Sequence, residues 1–249
     1  MPTLDADTLG PYRKPWLLPL LLVQGALVRM RALRLPEADG PRDGLVQGER
    51  EGEPYRVLVL GDSAAAGVGV ARQDQALGPA LARAIHRVKG RSVAWRVLAR
   101  TGLNAQQVAA DLLPKLDGAN GEARADLVVT SIGVNDAVGL TRSADFAAAM
   151  EAIVHGLRAY AGGSARIVLG RVPPLHRSPL FRDPLRGLVA WRIDRINALL
   201  AEIAARHAGV ILAGEPALLS ARDLAEDGFH PNASSYPAWA DYLVDHHLG

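Results

Sequence analysis

An α/β fold, a parallel sheet covered by helices on both faces, is predicted for this chain by two observations. Five short apolar runs recur between residues 56 and 213, and the stretches separating them carry apolar residues at helical rather than alternating spacing. Continuous rather than alternating runs mark strands buried on both faces, and right-handed crossovers place the intervening helices on those faces. A chain of 249 residues, 49% apolar but only 5% aromatic, is long enough for one such domain, with a core of Ala, Val, Leu and Ile.

Taken in order, the first stretch is "PWLLPLLLVQGALVRMRALRL", residues 15–35. Its apolar run from Trp16 to Val28 is flanked by Arg13 and Lys14 before and by Arg29, Arg31 and Arg34 after. Pro19, Gln24 and Gly25 interrupt it, and it is short of the ~20 apolar residues of a membrane span. It reads as a helix docked on its own domain, a helix lying on a membrane surface, or an export signal without a clean small-x-small cleavage site. Residues 1–35 thus form an N-terminal helical segment. Residues 36–54, rich in Pro, Gly and charge, read as a linker, and 55–249 form the main domain.

Within that domain "RVLVL" (56–60), "VAWRVLA" (93–99), "DLVVTSI" (126–132), "RIVLG" (166–170) and "GVILA" (209–213) read as strands. The helices between them fall in 74–88, 104–116, 144–160 and 188–207. The expected sheet has five parallel strands, and in such sheets ligands bind at the carboxyl ends.

Composition removes several functions. Lys plus Arg number 28 against 26 Asp plus Glu, a net charge of only +2, so the sequence pI of about 9.1 does not mark a basic surface and nucleic-acid binding has little support. With no cysteine, thiol nucleophiles, disulfides and cysteine-based metal sites are excluded. No His/Asp/Glu group stands out at a metal-ligand spacing.

The strand ends carry the chemistry. The first closes in Gly61-Asp62-Ser63, the second in Thr101-Gly102-Leu103-Asn104, the third in Gly133-Val134-Asn135-Asp136, and beyond the last lies "EDGFHPNASSY" with Asp227 and His230. A serine hydroxyl needs a base to take its proton, and histidine is the usual one. Asp227, three residues before His230, is close enough to orient that base. Ser63 N–H, Gly102 N–H and the Asn135 amide are candidate donors to an oxyanion. Competing motifs fail: no Gly-Lys-Ser/Thr follows for a P-loop, Ser63 breaks G-x-G-x-x-G, and Ala65 stands where a G-x-S-x-G elbow needs glycine. Alone, each block is most often a turn or a cap; their weight comes from their order at successive strand ends.

These blocks resemble the GDSL lipases and esterases, also called SGNH hydrolases: Ser63 in "GDS", Gly102 in "RTG", Asn135 in "GVND" and His230 in "DGFHP". The resemblance spans roughly 55–245, with Ala64 where the family name has leucine. It implies a flavodoxin-like three-layer α/β/α sandwich, no cofactor, Ser63, Asp227 and His230 as catalytic triad, and Ser63, Gly102 and Asn135 as oxyanion hole. The expected activity is hydrolysis of a small-molecule ester (acyl ester, thioester, lysophospholipid or acetylated sugar). The alternative is an acyltransferase or a non-catalytic acyl- or carbohydrate-binding module. Residues 15–35 are the expected point of any peripheral membrane contact. The expected location is the cytoplasm or a membrane surface, with export left open.

Two smaller expectations complete the reading. The small residues after Ser63 are expected to let a helix begin close to the sheet edge, leaving room for an acyl group. The proline-rich stretch 171–187, with Leu175, His176, Leu180 and Phe181, follows a strand onto the same rim and either walls the substrate pocket or only buries itself.

Overall fold

The computed structural model describes residues 4–116, 125–214 and 221–248. Six strands form one sheet: β1 (Asp43–Val46), β2 (Arg50–Gly61), β3 (Arg91–Ala99), β4 (Leu127–Ser131), β5 (Arg166–Leu169) and β6 (Val210–Leu212), in the order β1-β3-β2-β4-β5-β6. The last five are parallel, as expected. The sixth is an addition to the five-stranded expectation. β1 runs antiparallel to β3, pairing Asp43 with Arg96 and Val46 with Val93. It lies in the stretch read as a linker. "DGLV" is too short and polar to announce a strand, and its order comes from β3, with Gly44 lying against the Trp95 ring.

Along the sheet, side chains alternate between two cores, as the pleat requires. Leu58, Leu60, Val128, Ile167 and Leu169 face one core, while Val57, Val59, Leu127, Val129 and Val168 face the other. The first core is covered by α4 (Ala105–Asp111), α6 (Ser143–Ala161) and α7 (Leu185–Arg206), the second by α3 (Leu77–Lys89) and α8 (Ser235–His247). A short α5 (Val134–Val138) follows β4. This is the three-layer α/β/α arrangement. Because β2 is flanked by β3 on one side and β4 on the other, connections leave the sheet in opposite directions there, which opens a crevice at the carboxyl ends.

The N-terminal residues pack onto this body. α1 (Ala6–Leu9) and α2 (Leu18–Arg31) dock beside α7, where Leu9, Leu21 and Leu188 form a third small core. The Gln24 side chain donates to the Asp183 carbonyl (2.8 Å) and accepts from Leu185 N–H (3.1 Å). Asp7 accepts from Ser143 N–H at the start of α6 (2.6 Å). No described helix is long and apolar enough to cross a membrane.

The segment after Ser63 departs from expectation. Residues 62–70 form successive turns, and the next α-helix begins only at Leu77. Ala65 and Ala66 are fully buried, and a Cβ on Gly69 (φ +101°) would collide with the Pro231 carbonyl. The small residues therefore let the loop bearing Ser63 nest against the loop bearing His230, rather than seat a helix.

Candidate active site

Ser63 lies just past β2, and the turn holding it is fastened from below. Its carbonyl accepts from Val68 N–H (3.0 Å), and the hydroxyl of Tyr236, buried on α8, lies 2.7 Å from the Val68 carbonyl and 3.1 Å from that of Ala64. Burial and the nearby Asp62 and Asp227 push the Tyr236 hydroxyl pKa upward, so it remains a donor. The Ser63 side chain meets His230, whose Nε2 is 2.8 Å from Ser63 Oγ.

His230 is held by a compact local turn. Asp227 Oδ1 accepts the backbone N–H groups of Phe229 (2.9 Å) and His230 (3.0 Å), while Oδ2 lies 2.5 Å from His230 Nδ1. Burial opposes ionisation of Asp227, but the bonds from His230 and Phe229 outweigh it and hold the carboxyl below its usual range. Asp227 is thus a buried anion on one imidazole nitrogen, with a hydroxyl on the other. The three-residue spacing read from the sequence is the span of this turn. Ser178 on the 171–187 stretch braces it, donating to the Gly228 carbonyl (2.8 Å).

Gly102 follows β3 with φ +83° and open space where a side chain would stand. Neither its N–H nor that of Ser63 donates to an acceptor among the described residues. Asn135, in the first turn of α5, differs: its amide donates to the Leu103 carbonyl (2.9 Å) and to Asp62 Oδ2 (3.2 Å).

Two cavities meet at His230 and Phe229. A small one of about 80 Å³ includes Ser63, Ile132, Leu175 and Trp239 in its lining. A larger groove of about 810 Å³ takes in Gly102, Asn135, Asp227 and His230 together with Leu180 and Phe181. The 171–187 stretch therefore walls both cavities. His176 lines neither, and its buried Nδ1 has no partner among the described residues.

Sequence reasoning missed three features. Asp62, beside Ser63, accepts from the Asn135 amide, a partner its place in the sequence does not announce. Its burial, with Asp136 nearby adding to it and hydrogen bonds from Ala64 N–H and Ser131 opposing, pushes its pKa up to about 7. Asp136, next to Asn135, accepts from Ala105 N–H (3.0 Å) and fastens the start of α4. Away from the rim, Glu151 and His155 on α6 and His207 after α7 bring their ligand atoms within 4.8 Å of one another, although no such group stood out in the sequence. Glu151 and His155 share a helix face, but only the fold adds His207; Glu151 is also paired with Arg206.

The chain belongs to the GDSL-like lipase/acylhydrolase family, which its residues 59–238 match. It is thereby an enzyme of the ester hydrolases. Solved structures with the same fold include the lipase Lip_vut3 from a goat rumen metagenome, with a TM-score of 0.62 at 18% identity over 78% of this chain and 98% of that one. The lipase/acylhydrolase from Enterococcus faecalis gives a TM-score of 0.60 at 21% identity over 77% and 94%. The esterase EstA from Pseudoalteromonas sp., inhibited by monoethylphosphonate, gives 0.53 at 17% identity over 77% and 95%. Comparison with curated proteins returns no match.

Proposed function

We propose that the protein is a serine esterase that works through a covalent acyl-enzyme, with Ser63 as nucleophile, His230 as base and then acid, and Asp227 as its orienter. The observation that carries this reading is the pair of contacts made by His230, 2.8 Å to Ser63 Oγ and 2.5 Å to Asp227 Oδ2. As Ser63 Oγ attacks the ester carbonyl carbon, its proton passes to His230 Nε2, and Asp227 stabilises the resulting imidazolium. The bond to the alcohol oxygen then breaks, and His230 returns the proton to that oxygen. A water, deprotonated by His230, attacks the acyl carbon, and Ser63 departs with the proton. The free N–H groups of Ser63 and Gly102, with the Asn135 amide, receive the charge on the carbonyl oxygen.

The decisive experiment is hydrolysis of p-nitrophenyl acetate together with labelling by a fluorophosphonate. Wild type should release p-nitrophenol and take up one label on Ser63, and Ser63→Ala should do neither. Labelling at another residue overturns the assignment.

The reading extends to a peripheral contact with an anionic lipid surface through residues 15–35. Trp16, Leu20, Val23, Leu27 and Met30 recur at helical spacing and are exposed, Trp16 by 71% and Met30 by 81%. Arg13, Lys14, Arg31 and Arg34, also exposed, flank this stripe. Such a pairing suits a helix lying in the headgroup plane. Co-sedimentation with vesicles containing phosphatidylglycerol, lost in a Trp16→Asp/Met30→Asp variant, is the expected result.

A further inference from the structure

α2 does more than present the outer stripe and dock on α7 through Leu21. Leu22, Gly25, Ala26 and Arg29, next to Leu21 on the helix surface, line the 810 Å³ groove together with it. Val138, Leu140, Leu180 and Phe181 also line it, and Gly102, Asn135 and His230 lie along it. The polar side chains in the lining, Arg29 apart, are Asn104, Gln107, Asn135, Asp227 and His230, all belonging to the reaction rim or the adjoining start of α4. The remainder is aliphatic or aromatic. Away from Arg29 and the reaction rim, such a surface offers a sugar or a charged group no partner, whereas it gains from every methylene it removes from water. Its volume lies within the roughly 300–1,000 Å³ of sites that enclose a whole ligand. The residues of α2 precede those that match the family.

We propose that the groove holds the long aliphatic chain of the substrate, and that α2 determines specificity by forming one of its walls. This rests on the reading of Ser63 as nucleophile. The chain belongs to the acyl or to the alcohol side of the ester; both present the same methylenes to the groove.

Gly25 supplies the test. A Cβ there meets nothing within 4 Å, so a side chain grown from it starts in open space on the groove wall, and the helix gains by losing a glycine. The Gly25→Trp variant is compared with wild type on p-nitrophenyl esters from acetate to dodecanoate and on acetates of alcohols from ethanol to dodecanol. In one series the kcat/KM ratio of the longest to the shortest substrate should exceed one in wild type and fall at least tenfold in Gly25→Trp. Val88→Trp, on α3 across the sheet, should leave that ratio unchanged. The responding series identifies the side of the ester that carries the chain. A second readout needs no turnover: a fluorescent undecanoic acid should bind Ser63→Ala and bind Ser63→Ala/Gly25→Trp at least tenfold more weakly. Unchanged ratios in both series, or equal affinities in the binding assay, overturn the groove. Binding that responds to Gly25→Trp in a protein with no esterase activity on any substrate supports the groove and overturns the reading of Ser63.

Discussion

The Asn135 amide nitrogen sits 3.2 Å from Asp62 Oδ2 and 2.9 Å from the Leu103 carbonyl, so both its hydrogens are engaged within the protein. The side chain is therefore fixed before substrate arrives, by the residue adjoining Ser63 and by the loop that carries Gly102. To serve an oxyanion it must share one of these hydrogens. Asn135→Ala is expected to lower kcat by roughly a hundred- to a thousand-fold with KM little changed, the pattern of a donor that acts on the transition state. Asp62→Ala, which releases the amide without removing it, should lower kcat by less. Steady-state kinetics on p-nitrophenyl acetate with matched circular dichroism spectra checks both.

Ser63 and His230 should behave as one unit. Each alanine substitution is expected to abolish measurable turnover, and the double substitution to be no worse than either single one. Losses that multiply would show that His230 acts elsewhere.

Asp227→Asn keeps the shape of the turn but removes the anion from His230 Nδ1. A fall in kcat of about 10⁴-fold is expected, by analogy with other triads. The acid limb of stability should change as well. Because the Asp227 carboxyl is held below its ordinary value, its contribution is present above that value and lost as pH falls through the folded one. Acid unfolding monitored by tryptophan fluorescence should show a weaker pH dependence in the variant.

Asp62 has the opposite sign. Its folded pKa of about 7 lies above the ordinary 3.8, so its contribution is complete below that ordinary value and is lost as pH rises through 7. The gap corresponds to roughly 4 kcal/mol at most. Denaturant melts between pH 4 and 8 should show stability declining over this window, and Asp62→Asn should remove much of the decline.

Tyr236→Phe removes the hydroxyl that reaches the Ala64 and Val68 carbonyls. A loss of about 1–2 kcal/mol is expected from leaving buried carbonyls short of a donor. The fall in kcat on an acetate ester should exceed what the unfolded fraction explains, since the Ser63 turn hangs on that bond.

The parallel strands were readable because each is a continuous apolar run with no competing period. Ser63, Gly102, Asn135 and the Asp227–His230 pair were readable because strand ends and a three-residue turn are local in sequence. What escaped is non-local. β1 is ordered by pairing with β3 rather than by its own residues. The buried Asp62 finds Asn135 seventy-three residues away, and His207 joins Glu151 only when α6 and α7 pack. The small residues after Ser63 were rightly read as permitting a close approach, but what approaches is not local: the loop of Pro231 comes against Gly69, where a helix start had been expected.

The Gln24 bonds to Asp183 and Leu185 span 159 and 161 residues. At about 5–20 residues per second, roughly ten to thirty seconds of translation separate the emergence of α2 from that of its docking partners. Throughout that interval the nascent helix has no α7 to cover Leu21, and its apolar faces are open to chaperones and to lipid alike. The order in which the ribosome releases these elements thus gives any nearby membrane the first opportunity to hold α2, before the body of the enzyme exists to claim it.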